Sequence, residues 1–188
     1  MKKDWCFTAD YILEKKVKLK KEISVIITRF KDGTLSFYEP IENIHKNQIL
    51  YKSQTPADID QKIFKEAIDN AKKIAEKFSY VGVLTVEYFI TENNDLLVNE
   101  LAPRFHNSGH LTIDAFNVSQ FENHIRAVCD LGSKPIEKIS NAWMYNILGF
   151  EIEDFKKKTF KKNEFFYDYL KKEPKEGRKM GHLTILKD

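Results

Sequence analysis

Two β-forming runs, Val83 to Ile90 and Leu96 to Leu101, stand on either side of Asn93-Asn94. Asparagine tolerates positive φ and suits a tight turn, so the pair reads as an antiparallel hairpin. A two-residue loop pairs Glu92 with Asp95, Phe89 with Val98 and Glu87 with Glu100. Carboxylates directly opposed on one sheet face repel. That cost is tolerated where a cation lies between them or where they share a proton. A register slipped by one residue is the alternative, and it turns one Glu to solvent. Oxygen ligands without clustered His or Cys suit a hard ion such as Mg²⁺, which keeps waters and substrate phosphates as its other ligands.

The hairpin runs into the densest polar stretch of the chain, Val98 to Thr112, broken at Pro103. Glu100, Arg104, His106, Asn107, Ser108 and His110 crowd around Gly109. A structural turn accounts for Pro103 and Gly109 but not for Arg104, His106, Asn107 and His110 together, each of which needs a partner if buried. Loops carried on a rigid strand end are also where binding and catalytic groups gather. Only four arginines occur, at positions 29, 104, 126 and 178, and two fall in candidate site motifs. A guanidinium grips phosphate or carboxylate bidentately, so this placement in a lysine-rich chain points to an anionic substrate.

These motifs resemble the ATP-grasp part of the 5-(carboxyamino)imidazole ribonucleotide synthase family, the ATPase subunit of the purine-pathway carboxylase. The resemblance covers about Tyr11 to Leu186. It rests on the run Asn99 to Arg104 followed by His106 to His110, on Glu42 to His45, on Gly82-Val83, and on Gly177 to His182, in order and with compatible spacing. The fold it implies is α+β: a partial ATP-grasp fold with an antiparallel sheet, packed helices and a small C-terminal β-rich subdomain. Many ATP-grasp enzymes place Asn two residues after the second metal-binding Glu. Here that position is Ala102, as in this family.

The resemblance implies ATP-dependent carboxylation of aminoimidazole ribonucleotide with bicarbonate, by way of carboxyphosphate, with ATP and Mg²⁺ as cofactors. Glu14, Lys15, Lys16 and Val17 would lie along the adenine, Glu22 would bind the ribose hydroxyls and His45 would approach the nucleotide. Glu87 and Glu100 would hold Mg²⁺ with Asn99 adjacent. Arg104, His106, Asn107, Ser108 and His110 would hold the transferring phosphoryl group and bicarbonate, with either histidine a proton shuttle. Lys172, Arg178 and Lys179 would face the ribonucleotide phosphate. A homodimer is expected. The chain corresponds to the C-terminal part of the family, so it would need the preceding half to turn over. Exposed apolar surface at Tyr11 to Glu14, Phe30 and Phe37 would then favour self-association.

The 188 residues, 42% hydrophobic and 13% aromatic, suffice for one substantial core and argue against disorder. No apolar run approaches the roughly 20 residues of a membrane span, and the first residues lead into no signal-peptide core. Cys6 and Cys129 show neither metal spacing nor a disulfide framework, which fits a reducing cytoplasm. The net charge of +3 is modest. The runs Lys15-Lys16-Lys18-Lys20-Lys21 and Lys156 to Lys158 with Lys161 and Lys162 read as solvated surface rather than a nucleic-acid groove, whose binding would fall steeply with salt.

Alternation predicts strands at Glu22 to Phe30, Leu35 to Tyr38 and Ile49 to Ser53. Thr55-Pro56 with Asp58 reads as a capped start for a core helix extending to Tyr80. Ser119 with Glu122 forms a capping box opening a helix to about Asp130. Asn141 to Leu148, Phe165 to Leu170 and Met180 to Leu186 read as strands, with a helical stretch from Glu151 to Lys162. His45 falls in a short loop, His124 on a helix surface, and Trp143 and Tyr145 in packing. Gly132 to Pro135 marks the expected boundary between domains 1–132 and 133–188. Two other readings stay open: a folded, non-catalytic piece that binds nucleotide weakly, and another ATP-grasp carboxylate ligase.

Overall fold

The computed structural model describes residues 13–187; the readings at Cys6 and Tyr11 lie outside them. Its centre is β1 (Leu19–Arg29), an 11-residue strand whose middle is buried on both faces. The run Ile23 to Thr28, β-branched at every position but Ser24, suits that place, because such side chains pack well on a two-sided pleat. The strands that follow are β2 (Leu35–Phe37), β3 (Ile41–Lys46), β4 (Ile49–Thr55), β5 (Gly82–Thr91), β6 (Leu96–Ala102), β7 (Asn141–Leu148), β8 (Glu164–Asp168) and β9 (Lys179–Lys187). They form one nine-stranded sheet in the order β6-β5-β1-β3-β4-β7-β9-β8, with β2 pairing β1. Every pairing is antiparallel.

Helix α1 (Gln61–Phe78) covers one face. Its buried stripe Ile63, Ala67, Ile68, Ala71 and Ala75 follows helical spacing, and the small alanines bring it close to Ile23, Val25 and Ile27 of β1 and Val86 and Tyr88 of β5. A 3-10 turn (Asn107–Leu111), α2 (Thr112–Ala115) and α3 (Gln120–Val128) cover part of the other face, where Ile26, Val83, Leu111, Phe116 and Met144 form a second cluster. Ile147, Ile152 and Met180 form a third under α4 (Glu151–Phe155). Ser119 caps α3 as its sequence predicts, its Oγ accepting from the Glu122 N–H at 3.2 Å. Gly132 to Pro135 lies between α3 and β7, after which β7 joins β4 in the same sheet.

The carboxylate hairpin forms in a different way from the expected one. Asn94 alone takes a left-handed φ of 63°, and Thr91 N–H bonds the Asp95 carbonyl at 3.0 Å, so the loop holds three residues rather than two. The Thr91 hydroxyl stabilises it by accepting from the Asn93 and Asp95 N–H groups. Phe89 therefore pairs with Leu97 instead of Val98. A bulge at Asn99 then absorbs the extra residue and restores Glu87 opposite Glu100.

Several other expectations need correction. Thr55 does not cap a helix: it ends β4 with its hydroxyl on Glu39, as the extended preference before proline favours. Asp58 is instead held by Lys21 at 2.9 Å, and α1 begins at Gln61. His45 is a strand residue of β3. The helix expected to reach Lys162 ends at Phe155, where like-charged lysines crowd the next turn and Phe160 stacks on Phe166. β8 ends at Asp168, before Leu170 at φ 54°.

Surface assignments shift too. His124 is half-buried and its Nδ1 accepts the Val83 N–H at 3.1 Å. Trp143 is partly exposed, with Lys52 and Lys187 ammoniums over its ring at 3.9 and 3.7 Å. Phe30 is buried and Phe37 packs on the core under Lys72, so neither leaves the expected apolar patch. The exposed apolar residues of the sheet edge are Leu97 and Val98 of β6.

Candidate functional site

Because opposed strand residues share a face, the register lines up Glu100, Glu87, Ser24 and Glu22, then Asn43, His45 and Ser53, on one side of the sheet. Helix α1 occupies the opposite side. This polar face opens into a cavity of about 750 Å³ that spans β6, β5, β1, β3 and β4 and is also lined by Lys171 and Lys179. Eight residues expected from the sequence line it: Glu22, His45, Glu87, Asn99, Glu100, Arg104, His106 and Lys179.

Pro103 ends β6, since it has no N–H for the ladder. The chain then folds into the 3-10 turn, clamped by one buried side chain. Gln120 Oε1 accepts from His106 N–H at 3.0 Å, while its Nε2 donates to the His106 carbonyl at 2.7 Å and meets His110 Nδ1 at 3.0 Å. Gln120 N–H in turn bonds the Thr112 hydroxyl, which donates to the Gly109 carbonyl. Gly109 sits against Ile26 and Gln120 where no Cβ fits.

His106 comes to lie under the carboxylate pair, with Nε2 2.9 Å from Glu87 Oε1. That bond, with a smaller contribution from the positive field of Lys179, holds the Glu87 carboxyl below its usual range and therefore ionised. Burial lowers the Lys179 ammonium, an effect that Glu87 opposes. Glu22 Oε2 lies 3.1 Å from His45 Nδ1, although the approach is not that of an aligned hydrogen bond.

The remaining expected residues sit around or away from the cavity. Ser108 is wholly buried behind His106, within 2.7 Å of its Nδ1. Asn107 Oδ1 accepts from Asn146 of β7 at 2.7 Å. His110 packs against Phe121, Tyr169 and His182, and burial pushes it down to about 4. His182 is pushed down to about 3 for the same reason. Lys172 is exposed outside the cavity, and its neighbour Lys171 takes the lining position. Arg178 is exposed as well and donates to the Glu173 carbonyl at 2.9 Å. Lys15, Lys16 and Val17 line a separate cleft beside the β5–β6 turn, and Glu14 is exposed just before them. Leu97, which faces Phe89 across the hairpin, belongs to that cleft.

Gln48, Ile49, Leu50, Phe89 and Lys171 line the cavity without having been expected there. Phe89 was within reach of the sequence, since it stands two residues from Glu87 on the same face. Gln120 was not, because its clamp joins segments 14 residues apart.

The donor chemistry fits a hard cation. Among the described residues no group of three His, Cys, Asp or Glu is disposed to hold a metal. Glu87 and Glu100 therefore offer two carboxylates facing an open cavity, which leaves coordination to water and phosphate as Mg²⁺ prefers. No helix among the described residues is long and apolar enough to cross a membrane.

Comparison with known proteins agrees with this geometry. The chain is 46% identical over 177 residues to the N5-carboxyaminoimidazole ribonucleotide synthase of Bacillus subtilis, covering 94% of this chain and 47% of that protein. The N5-carboxyaminoimidazole synthetase of Staphylococcus aureus, solved with ADP, superposes with a TM-score of 0.87 at 41% identity, over 93% of this chain and 48% of that one. The Aspergillus clavatus synthase, solved with ADP and 5-aminoimidazole ribonucleotide, gives 0.86 at 31% identity, over 92% and 48%. The chain thus spans about half the length of the relatives it matches. Residues 142–188 match the phosphoribosylaminoimidazole carboxylase C-terminal domain. The ATP-grasp domain matches residues 2–121, well over half of the sequence, and the chain belongs to the ATP-grasp family.

Proposed function

We propose that this chain carries the metal- and phosphate-binding part of an enzyme that carboxylates aminoimidazole ribonucleotide with bicarbonate and ATP, by way of carboxyphosphate. The observation that carries the reading is the opposed pair Glu87 and Glu100 at a cavity that also presents Arg104 and Lys179. Glu87 and Glu100 would hold Mg²⁺, which when bound neutralises phosphate charge during transfer. Arg104 offers a planar pair of donors to the transferring phosphoryl group, a preorganised electrostatic contact that gains strength where charge develops. Lys179 faces the same space and suits the ribonucleotide phosphate. Lys15, Lys16 and Val17, on the cleft beside the β5–β6 turn, with Glu14 just before them, suit the nucleotide base. Burial of His106 and most of Glu87 keeps part of the site from bulk water, which protects a reactive acyl phosphate. A homodimer belongs to the same reading, and sedimentation would test it.

The reaction is tested by supplying the chain with the portion of the Bacillus subtilis relative that it does not cover. ATP hydrolysis should then depend on both bicarbonate and aminoimidazole ribonucleotide and should vanish in Glu100→Gln. Hydrolysis indifferent to the ribonucleotide would assign the chain to another ATP-grasp ligase. No hydrolysis in the supplemented chain, with weak nucleotide binding alone, would make it a non-catalytic piece.

A further inference from the structure

We propose that a buried hydrogen-bond chain through Ser53, Asn43, Ser24 and Ser108 is a positioning device that locks His106 as a proton donor to Glu87 and so bars it from acting as the proton acceptor of the site. Ser53 Oγ donates to Asn43 Oδ1 at 2.8 Å, and Asn43 Nδ2 donates to Ser24 Oγ at 3.0 Å. Ser24 and Ser108 hydroxyls stand 2.8 Å apart, and Ser108 Oγ is 2.7 Å from His106 Nδ1. The chain crosses from β4 through β3 and β1 to the 3-10 turn and ends on β5. Ser24, Ser53 and Ser108 are fully buried, and Asn43 is 5% exposed.

The direction of this chain is fixed at one end by a group that can only donate. The Ser108 backbone N–H points at His106 Nδ1 at 3.4 Å, so that nitrogen presents its lone pair. The Ser108 hydroxyl must then donate to Nδ1, and Ser24 must donate to Ser108. Asn43 supplies the amide proton that Ser24 accepts, and Ser53 fills the Asn43 carbonyl oxygen. Flipping the Asn43 amide would make Ser24 donate to it, leaving the Ser24 and Ser108 oxygens facing each other without a proton. In a buried site such a defect is strongly disfavoured, because neither oxygen has water to turn to. The ring proton of His106 is left on Nε2, 2.9 Å from Glu87 Oε1.

Donors converging on Nδ1 polarise the ring and strengthen the Nε2–H bond to the carboxylate. One Glu87 oxygen is thereby engaged and the other is left for the cavity, as outer-shell partners orient metal-binding groups. The inference rests on the proposed function only where it treats Glu87 as a metal carboxylate; the tautomer does not depend on it.

Long-range ¹H–¹⁵N correlation on the histidine-labelled chain at about pH 7.5 reads the tautomer directly. His106 should show protonated Nε2 and bare Nδ1. In Ser108→Ala the short hydroxyl contact at 2.7 Å is lost and only the long backbone N–H contact at 3.4 Å is left on Nδ1. That contact is too weak to hold the tautomer by itself, so the Nδ1–H form should become populated and Mn²⁺ affinity should fall by roughly 10-fold, as for other outer-shell losses. Ser24→Ala provides a second variant that leaves the Ser108 hydroxyl in place and should produce a smaller tautomer shift. A wild-type His106 protonated at Nδ1, or at both nitrogens, would overturn the proposal. So would an unchanged His106 spectrum in both variants. The expected tautomer in a chain with no ribonucleotide-dependent turnover would support the lock while counting against the reaction.

Discussion

Replacing Gly109 with alanine tests how tightly the site turn is built. The added Cβ would meet Ile26 Cδ1 at 2.2 Å, Gln120 Oε1 at 2.7 Å and Gln120 Cδ at 2.8 Å. Ordinary carbon contacts lie at about 3.5–4.0 Å, so Ile26 must give way by more than 1 Å and Gln120 by at least about 0.7 Å, and both are fully buried. Overpacking of this kind costs about 2 kcal/mol. Moving Gln120 also loosens its two bonds to the His106 backbone, which would cost roughly 1.5 kcal/mol each in a buried setting. Reduced unfolded-chain entropy returns about 0.7 kcal/mol. The expected net loss is thus about 4 kcal/mol, a large part of a typical domain stability of about 5–15 kcal/mol. Urea unfolding of wild type and variant measures it. Ile26→Val removes the offending Cδ1, so its own cost of about 1 kcal/mol should shrink or reverse sign in the Gly109→Ala background. A single-variant loss below about 1 kcal/mol, with no coupling to Ile26, would show that the turn relaxes freely and would refute the reasoning.

Glu100→Gln keeps the shape of an exposed side chain while removing its repulsion with Glu87. Apo stability should stay within about 0.5 kcal/mol of wild type or rise slightly, while calorimetric Mg²⁺-nucleotide binding disappears; undiminished affinity would remove the carboxylate-pair site. Arg104→Lys keeps charge but loses the planar fork, so in the supplemented enzyme kcat should fall while the KM for ATP changes little. Near-normal turnover would make Arg104 structural. His110 and His182 are held neutral by burial at about 4 and 3, whereas in the unfolded chain they protonate near 6.5. Their contribution is complete above about pH 6.5 and is lost as pH falls toward those folded values, by as much as about 2 kcal/mol each at pH 5. Glu87, depressed by His106, adds to the loss only below its ordinary carboxyl range. Equal urea midpoints at about pH 7.5 and pH 5 would show that both rings accept protons in the folded chain.

Local chemistry alone determined a good deal of this protein. Strand propensity and alternation place β1, β5, β7 and β9, and Ser119 with Glu122 marks the start of α3, because these signals lie within a few residues of one another. That Glu87, Glu100, Arg104 and His106 gather at one cavity was likewise legible, since so many polar groups after a strand end demand partners. The pairing of Glu87 with Glu100 was right even though the turn carrying it was not. A three-residue loop shifted the register by one, and the Asn99 bulge shifted it back. Alternation does not encode bulges, because their stability comes from the neighbouring strand. Tertiary structure decided what depends on distant segments meeting. It set Lys171 rather than Lys172 at the cavity, turned Arg178 outward, and brought Gln120 onto the His106 backbone. It also gathered Ser24, Asn43, Ser53 and Ser108 into one buried line. Each of those four is an ordinary polar residue in its own strand or turn, and only sheet register, which places Ser24 opposite Glu87 and Asn43 opposite Ser53, makes them a chain.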